Sequence, residues 1–527
     1  MAEVAQVLID GVWRDSVADG SFESADPGKM EPTGESYPVS SKSEVIEACQ
    51  AAASAAEELE RHNPDGVADF LEAYADRIEA RRGELVEMAH RETALPASPR
   101  LDGIELPRTT GQLRQAAAAA RQRSWSLATI DTAAGIRSLY GPLGGGVAVF
   151  GPNNFPFAFN SVAGGDFAAA IAAGNPVIAK ANSSHPGTTR MLAEEALEAV
   201  IACGLPKATV QLIYRTDHEV GKTLASHPAI AATGYTGSRH AGLVLKEAAD
   251  RAGKPIYLEL SSINPVVILP GALRERGEEI AADFQTSCLM GTGQFCTNPG
   301  VILLLKGGDT QTFINAAATK FQEAPVGTLL GSSVLSGLQK SVDLLQQAGA
   351  NLITGGAAGG GNGYSFQNTL LQVDGKQFLK DPEALQTEAF GNESLLVVAD
   401  DVDQAADIVR HFEGNLTGSV YSHSGTEDEA AYEALVPILR RKVGRLLNDK
   451  MPTGVAVSAA MNHGGPYPAT GHPGFTAVGI PASMLRFAML QSYDGVRDHR
   501  LPAALRNGNP GGMWRSIDGA WTQADVQ

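Results

Sequence analysis

The sequence predicts an α/β fold made of two doubly wound domains and a small β arm, and three observations indicate this class. Short β-rich apolar runs alternate with helical stretches from about residue 145, which is typical of a parallel sheet with crossover helices. A second block of the same texture lies between residues 260 and 450. The chain has 527 residues, which is too long for one ordinary domain and long enough to bury several cores.

Helices are predicted in the amino-terminal part of the chain. Ser41 and Glu44 stand at capping-box spacing, and apolar residues recur at helical period over 45–59. The pattern returns over 70–78 and in the alanine-rich stretch 111–123. We interpret these helices as structural cover.

The first α/β block begins after these helices. Its β-rich runs are GVAVFG, NPVIAK, VQLIY, IAATGYTG, PIYLEL and NPVVIL. Helices between the runs are expected over roughly 161–173, 188–203, 219–226 and 240–252. No GxGxxG motif opens the block, so any nucleotide is held without the standard dinucleotide fingerprint.

An inserted arm is predicted over 125–143, between the helical part and the first sheet. An isolated hairpin is only marginally stable, so we expect the arm to pair with other chains in a homodimer or homotetramer. The tail after residue 484 shows few periodic features.

The charge balance argues against two classes of partner. Lys and Arg number 41 and Asp and Glu 59, a net charge of −18, which disfavours nucleic acid or an anionic membrane as the main partner. The amino terminus lacks a basic region, and no apolar stretch reaches the roughly 18 residues of a membrane span. We expect a cytoplasmic protein.

The four cysteines are Cys49, Cys203, Cys288 and Cys296, and they form no CxxC pair. The first three are interpreted as structural. Cys296 lies in GTGQFCTNPG, where glycines let the backbone approach a ligand and leave amides free to stabilise a thiolate or an oxyanion. A buried loop cysteine and a nucleophile are about equally favoured by this stretch alone.

Three further segments carry candidate chemistry. Glu259 stands inside an apolar strand run, where a carboxylate is either a structural ion pair or a general base. Asn154 follows a strand, and its amide either donates to an oxyanion or serves a turn. The GYTGS stretch (234–238) lies between a strand and a helix and is suited to a phosphate.

Together these segments resemble the aldehyde dehydrogenase superfamily, in motif order and spacing, over residues 10 to 480. The matching motifs are Asn154-Phe155-Pro156, Lys180 after the second strand, YTGS with Gly237 and Ser238, ELSS with Glu259, GQFC with Cys296, and Glu388-Ala389-Phe390.

The resemblance implies a mechanism. Cys296 attacks the aldehyde, the amides of Asn154 and Cys296 hold the oxyanion, hydride passes to a nicotinamide, and Glu259 activates water to release the acid. Glu388 binds the nicotinamide ribose, Phe390 packs nearby, and no metal is expected. The implied domains are 1–124 with 144–259 for the cofactor, 260–455 for catalysis, and 125–143 with 484–527 as the oligomerisation arm and C-terminal tail.

Departures from the family pattern bear on the cofactor. Where NAD-preferring members commonly carry a glutamate, three residues after Lys180, this chain has Ser183. A hydroxyl can donate to a 2′-phosphate that a carboxylate would repel, and Arg215 is a candidate second cation. We therefore predict NADP preference, with NAD possible.

ELSS, AFGN and HGGPYPAT, with RTTGQLR and KANSSHPGTT, are similar to a branch that holds α-ketoglutarate semialdehyde (2,5-dioxopentanoate) dehydrogenases and NADP-dependent fatty aldehyde dehydrogenases. The dioxo acid is the favoured substrate and medium or long aliphatic aldehydes are the alternative, for which Phe155, Phe157, Phe159 and Phe295 would line the tunnel. Glu259 disfavours a CoA-acylating relative. The retained Cys296, Glu259 and Asn154 disfavour a non-catalytic one.

Overall fold

The structure is a computed structural model that describes residues 4–62 and 64–527. Residues 1–3, at the start of the predicted cofactor domain, and residue 63 lie outside the described residues. The described chain contains two seven-stranded sheets, one five-stranded sheet and one two-stranded ribbon. The α/β class with two doubly wound sheets and a small β arm is confirmed.

The first sheet is parallel except for an amino-terminal hairpin at one edge. Its strands lie in the order Ile256–Glu259, Ile230–Thr236, Gly146–Phe150, Val177–Lys180, Val210–Ile213, Val7–Ile9 and Val12–Arg14. The central strands are apolar and buried, as strands covered on both faces are. The α-helices of this half are Lys42–Arg61, Pro64–Ala80, Arg82–Thr93, Leu106–Gln122, Gly165–Ala172, Pro186–Ala202, His218–Ser226 and Arg239–Arg251, with a π-helix at Ala97–Glu105.

The first of these helices begins as the sequence predicts. The Ser41 hydroxyl accepts from the Glu44 amide at 3.4 Å, and the Glu44 carboxylate accepts from the Ser41 amide at 3.0 Å. The same carboxylate accepts from the Val17 amide at 2.7 Å, which ties the helix to the chain that follows the amino-terminal hairpin. The predicted capping box is confirmed.

The second sheet is parallel except at one edge strand. Its strands lie in the order Asn351–Thr354, Thr369–Asp374, Glu393–Ala399, Val301–Leu305, Val266–Ile268, Asn415–Tyr421 and Val443–Asn448. The assignment of the run NPVVIL to the first block is therefore wrong, because its strand Val266–Ile268 pairs with two strands of the second sheet. Its α-helices are Pro270–Leu289, Gly308–Glu323, Ser332–Gln347, Gly375–Lys380, Val402–His411 and Glu429–Leu439.

The predicted arm is completed by the tail of the same chain. The five-stranded sheet runs in the order Ala488–Asp494, Ile136–Pro142, Thr129–Asp131, Arg515–Ile517 and Ala520–Thr522. The tail therefore contributes three strands that its sequence pattern did not indicate. The ribbon pairs Ser21–Asp26 with Glu31–Pro38. Short 3₁₀ turns are Ser124–Ser126, Lys207–Thr209, Met290–Gly293, Ala384–Gln386, Arg440–Lys442, Ala482–Phe487, Asp498–Arg500 and Ala503–Leu505.

A segment that follows the second sheet returns to the first sheet and joins the two halves. The Leu260 amide donates to the Ala469 carbonyl at 2.8 Å, and the Gly471 amide donates to the Leu258 carbonyl at 3.0 Å. This pairing lies beside Glu259, at the carboxyl end of its strand, where α/β sheets place their ligands. The domain boundaries themselves stay a prediction. Within the described residues, no helix has the length and apolar character to cross a membrane.

Candidate active site

The Cys296 loop follows the end of helix Pro270–Leu289. Gly293 has a φ of +68°, and a Cβ there would lie 2.0 Å from the Gly391 carbonyl oxygen. Only glycine fits at that position. The close neighbour of this glycine is the backbone of another loop, so its lack of a side chain lets the two loops pack together. Cys288 is buried in the preceding helix, and burial raises the pKa of its thiol.

Two asparagines that the sequence did not single out hold the loop in place. The Asn264 side chain donates to the carbonyls of Cys296 and Asn298, each at 2.9 Å. Asn264 itself has a left-handed φ of +45°, and its backbone N–H donates to the Asn415 side-chain oxygen at 3.1 Å. These contacts fix the backbone at Cys296 and just after it.

The Cys296 thiol belongs to a chain of three polar side chains. Its Sγ lies 3.3 Å from His463 Nε2, and the same nitrogen lies 3.0 Å from Glu259 Oε1. His463 and Glu259 are each only 1% exposed, whereas Cys296 is partly exposed. The imidazole nitrogen is placed to exchange a proton with either neighbour.

Glu259 has one engaged oxygen and one unengaged oxygen. Its Oε1 faces His463, while its Oε2 is buried and has no hydrogen-bond partner among the described residues. A purely structural ion pair would leave this buried oxygen at a cost of about 1–3 kcal/mol. An unpartnered carboxylate oxygen can accept a proton from a water molecule, which fits the alternative that Glu259 is a general base.

Electrostatics keep the resting thiol protonated. Removal from water and the nearby Glu259 carboxylate raise the pKa of Cys296 well above its ordinary value. Burial also raises the pKa of Glu388 to about 7, although the Ser261 hydroxyl beside it acts in the opposite direction. Deprotonation of Cys296 therefore needs a local acceptor, and His463 Nε2 is in contact with it.

Asn154 faces the cysteine loop. Its side-chain amide is buried and donates to the Gln294 carbonyl at 2.9 Å, two residues before Cys296. Its own carbonyl accepts from Arg100 at 3.2 Å. The amide is therefore next to the reacting loop, while its role toward an oxyanion stays a prediction.

The predicted cofactor residues divide between two places. Lys180, Ser183, Arg215, Gly237 and Ser238 line one cleft of about 460 Å³ at the carboxyl ends of the first-sheet strands. Glu388 and Phe390 instead lie in a crevice beside the Cys296 loop, together with Phe295 and Gly293. A ligand that touches both sets extends from the first sheet to the cysteine.

The cleft suits an anionic nucleotide. Burial and the Arg215 guanidinium lower the pKa of Lys180 to about 8, and neither cation takes part in a salt bridge between described residues. Asp217, the carboxylate among the lining residues, accepts from the Val220 amide at 2.7 Å as a helix cap. Ser238 caps the next helix, whose amino-terminal amides favour phosphate.

The phenylalanines separate into two groups. Phe155, Phe159 and Phe295 pack together around the site, with ring centroids 5.1 and 5.3 Å from that of Phe155. Phe159 also lies 5.8 Å from the His463 ring. Phe157 is fully buried in the large core of the first sheet, so its prediction as a tunnel residue is wrong.

Sequence reasoning missed three kinds of residue at this site. His463 lies in HGGPYPAT and Arg108 lies in RTTGQLR, and both motifs served only to assign the branch. Asn264 carried no signal.

The donor atoms of Glu259, Cys296 and His463 lie within 4.8 Å of one another, a donor set that Zn²⁺ accepts. The absence of a metal stays a prediction.

Comparisons with known proteins identify the class. The Aldehyde dehydrogenase family matches residues 13–464. The chain belongs to this family and is an aldehyde dehydrogenase, an oxidoreductase.

Two curated relatives are similar over nearly the whole chain. Alpha-ketoglutaric semialdehyde dehydrogenase 2 of Azospirillum brasilense is 38% identical, covering 95% of this chain and 96% of that protein. Alpha-ketoglutaric semialdehyde dehydrogenase of Acinetobacter baylyi is 37% identical with the same coverage. A mutant of aldehyde dehydrogenase C from Pseudomonas syringae, solved with NAD⁺ and octanal, has a TM-score of 0.79 at 21% identity, covering 93% of this chain and 96% of that one.

Proposed function

We propose that this protein oxidises 2,5-dioxopentanoate to 2-oxoglutarate and prefers NADP. The observation that carries the chemistry is the contact chain from Cys296 through His463 to Glu259. What supports the substrate is the similarity, at 37–38% identity, to two proteins named for α-ketoglutaric semialdehyde.

The first step is attack of Cys296 Sγ on the aldehyde carbon. The thiol proton passes to His463 Nε2, 3.3 Å away, because the raised thiol pKa leaves little thiolate at rest. The carbonyl oxygen becomes an oxyanion, and the Asn154 side-chain amide is near enough to the loop to donate to it. The product is a thiohemiacetal on Cys296.

NADP supplies the hydride acceptor when bound, which leaves a thioester on the cysteine. Glu259 Oε2 then takes a proton from a water molecule, and the resulting hydroxide attacks the thioester carbon. The carbon–sulfur bond breaks, the acid leaves, and the Cys296 thiolate takes back the proton that His463 accepted in the first step, while Glu259 loses its proton to solvent. The Oε1 contact with His463 keeps the carboxylate oriented while Oε2 stays available.

NADP preference is supported by the charges in the cleft. Burial, and after it repulsion from Arg215, lowers the pKa of Lys180, and a 2′-phosphate would relieve the repulsion between the two cations. Ser183 lies in the same cleft and offers a hydroxyl donor where a carboxylate would repel the phosphate. NAD would gain from neither feature.

Aliphatic aldehydes are the second candidate substrate. The apolar wall of Phe155, Phe159 and Phe295 favours them, since such rings contribute apolar surface to a ligand. A CoA-acylating reaction is disfavoured because Glu259 is present with a free oxygen suited to hydrolysis.

The deciding experiment is NADPH formation by purified protein, comparing kcat/KM for 2,5-dioxopentanoate and dodecanal, with NAD in parallel. A higher kcat/KM for the dioxo acid with NADP is expected. A preference for dodecanal would move the function to fatty aldehyde oxidation without changing the mechanism.

We also propose a cytoplasmic homodimer or homotetramer. The arm sheet and the chain beside it carry large apolar side chains that are about half exposed, among them Met489, Leu490, Trp514 and Trp521. Such a surface favours association. A monomeric mass by light scattering at micromolar protein would contradict it.

A further inference from the structure

Beside Phe155 and Phe159 lies an arginine, Arg108, two of whose hydrogen-bond donors have no partner among the described residues. Arg108 stands in the first turn of helix Leu106–Gln122, and its guanidinium lies 5.2 Å from the Phe159 ring centroid and 6.0 Å from that of Phe155. Its Nε and Nη2 are buried and have no hydrogen-bond partner in the described part of the chain. Buried guanidinium donors are normally paired, so this pair calls for a ligand.

The neighbouring charges do not neutralise Arg108. Glu105, three residues earlier, accepts from the amides of Phe157 and Ala158 at 2.8 and 3.0 Å and forms an ion pair with Arg100. That carboxylate is therefore shared with one cation already. Glu105, Arg100 and Arg108 together carry one positive charge, and the Arg108 guanidinium takes part in none of the salt bridges between described residues.

Arg108 is also close to the reacting groups. Phe159, on which it lies, has its ring centroid 5.8 Å from that of His463, which contacts Cys296. The charge of Arg108 acts on the Cys296 thiol and favours its ionised form, and Cys296 and Glu259 act in return on Arg108. The guanidinium and the thiol are therefore close enough to interact electrostatically, with the Phe159 ring between Arg108 and His463.

Another buried arginine shows the contrast. Arg445 also interacts electrostatically with Cys296. Its guanidinium, however, donates to the carbonyls of Pro452 at 2.8 Å and Gly454 at 3.2 Å. Both terminal nitrogens of Arg445 donate to backbone carbonyls and leave just its Nε without a partner among the described residues, whereas Arg108 has both Nε and Nη2 unpartnered there.

We propose that Arg108 binds the carboxylate of the substrate and thereby selects short oxo acids over neutral aldehydes. This inference rests on the proposed function. In 2,5-dioxopentanoate, four carbon–carbon bonds separate the aldehyde carbon from the carboxylate carbon. A short acid held at Cys296 therefore presents its anion to a cation on the wall of the same space, and Arg binds carboxylates through two parallel hydrogen bonds. Phe155 and Phe159 restrict the guanidinium and cover the chain between the two ends.

The test compares 2,5-dioxopentanoate with pentanal, which has the same number of carbons and no charge. Replacing Arg108→Met should lower kcat/KM for the dioxo acid by about 10- to 100-fold, mostly through KM, because a charged hydrogen-bonded pair is lost. Pentanal oxidation should fall much less, because it loses only the effect of the Arg108 charge on the Cys296 thiol, so the ratio of the two kcat/KM values should drop by about tenfold or more. Arg108→Lys should recover part of the loss, since it restores charge but not the paired geometry.

Arg445→Met is the matched control. This change removes a cation near the same thiol. It should lower kcat/KM for both substrates by the same factor, so that the ratio of the two values stays at that of the wild type. An Arg108→Met enzyme with an unchanged ratio, or with both substrates lowered equally, would overturn the carboxylate assignment and leave Arg108 as support for the phenylalanine wall.

A binding measurement separates this inference from the proposed function. Calorimetric titration of 2-oxoglutarate should show binding to the wild-type protein and to Cys296→Ala, weakened in Arg108→Met and partly restored in Arg108→Lys. Arg108-dependent binding in a protein that oxidises neither aldehyde would sink the proposed function alone. Binding of 2-oxoglutarate that does not depend on Arg108, or its absence from wild type, would sink the assignment of Arg108.

Discussion

The cofactor end of the site, at Lys180 and Arg215, and the aldehyde end, at Arg108, both carry cations that form no salt bridge between described residues, but the two ends are built differently. At the cofactor end, Lys180 and Arg215 follow consecutive strands of one sheet and lie in one cleft. At the aldehyde end, Arg108, Phe159 and His463 come from a helix, a loop and a returning segment. The cofactor end is therefore assembled by local strand–loop–helix order, and the aldehyde end by packing between segments that are distant along the chain.

The cations also differ in how much charge they hold at rest. Burial and the Arg215 guanidinium lower the pKa of Lys180 to about 8, so part of that charge is lost near neutral pH. Burial lowers the pKa of Arg108 as well, but a guanidinium remains protonated throughout the accessible range. The cofactor end is therefore the one whose affinity should depend on pH.

The largest effect should come from the residue between the two ends. Cys296→Ala should lower turnover by at least about 10⁴-fold, because no other group can carry the thioester. Both ends should remain intact, so the dissociation constant for NADP should stay within about twofold, a change of roughly 0.4 kcal/mol. NADPH formation and fluorescence titration with NADP measure the two quantities.

Cys288→Ala is the control for this variant, since that thiol is buried in helix Pro270–Leu289 and donates only to a carbonyl, at 3.4 Å. It should keep near wild-type turnover even if it lowers stability. Appreciable activity in Cys296→Ala, or loss of activity in Cys288→Ala alone, would contradict the assignment of the nucleophile.

The second effect separates the two partners of the thiol. Glu259→Gln should slow release of the acid by about 10²- to 10⁴-fold, because the base that activates water is removed. Acylation should persist, so a burst of one NADPH per site is expected in stopped flow. His463→Gln should lose the burst instead, since Cys296 loses the contact that accepts its proton.

Two variants with the same kinetic phenotype would mean that Glu259 and His463 act in one step and not in two. The conservative Glu259→Asp variant serves as the control for charge, because it keeps a carboxylate but shortens its reach. Partial recovery of the slow phase is expected for it.

The difference between the two ends explains how far the sequence could predict the molecule. Alternating β-rich runs and helices indicated the two sheets, although not the amino-terminal hairpin of the first or the place of Val266–Ile268 in the second. Strand-end motifs placed Lys180, Ser183 and Arg215 in one cleft. His463 lies 167 residues from Cys296 along the chain, and no periodic pattern connects them. The three tail strands were not predicted for a similar reason, because they carry little periodic pattern and the arm they complete lies far away along the chain.

The third effect is confined to the cofactor end. Ser183→Glu should lower kcat/KM with NADP by about 10- to 100-fold, because a carboxylate beside Lys180 and Arg215 repels a 2′-phosphate. The value with NAD should fall little or rise. The isosteric control Ser183→Ala should cost NADP only about threefold, the loss of one hydrogen bond. An unchanged NADP value in Ser183→Glu would place the phosphate elsewhere.

The smallest effect distinguishes the two ends without any substitution. As pH rises from 7 to 9, Lys180 passes through its pKa of about 8 and loses its charge. The KM for NADP should therefore rise about three- to tenfold, with the largest change above pH 8. The KM for NAD, which lacks the phosphate, should change less, so the ratio of the two constants removes the titration of Cys296 and Glu388 from the comparison. Over the same range the KM for 2,5-dioxopentanoate should stay flat, because Arg108 keeps its charge. If the KM values for NADP and for 2,5-dioxopentanoate rose in parallel, one titrating group would serve both ends. The separation between a phosphate end and a carboxylate end would then fail.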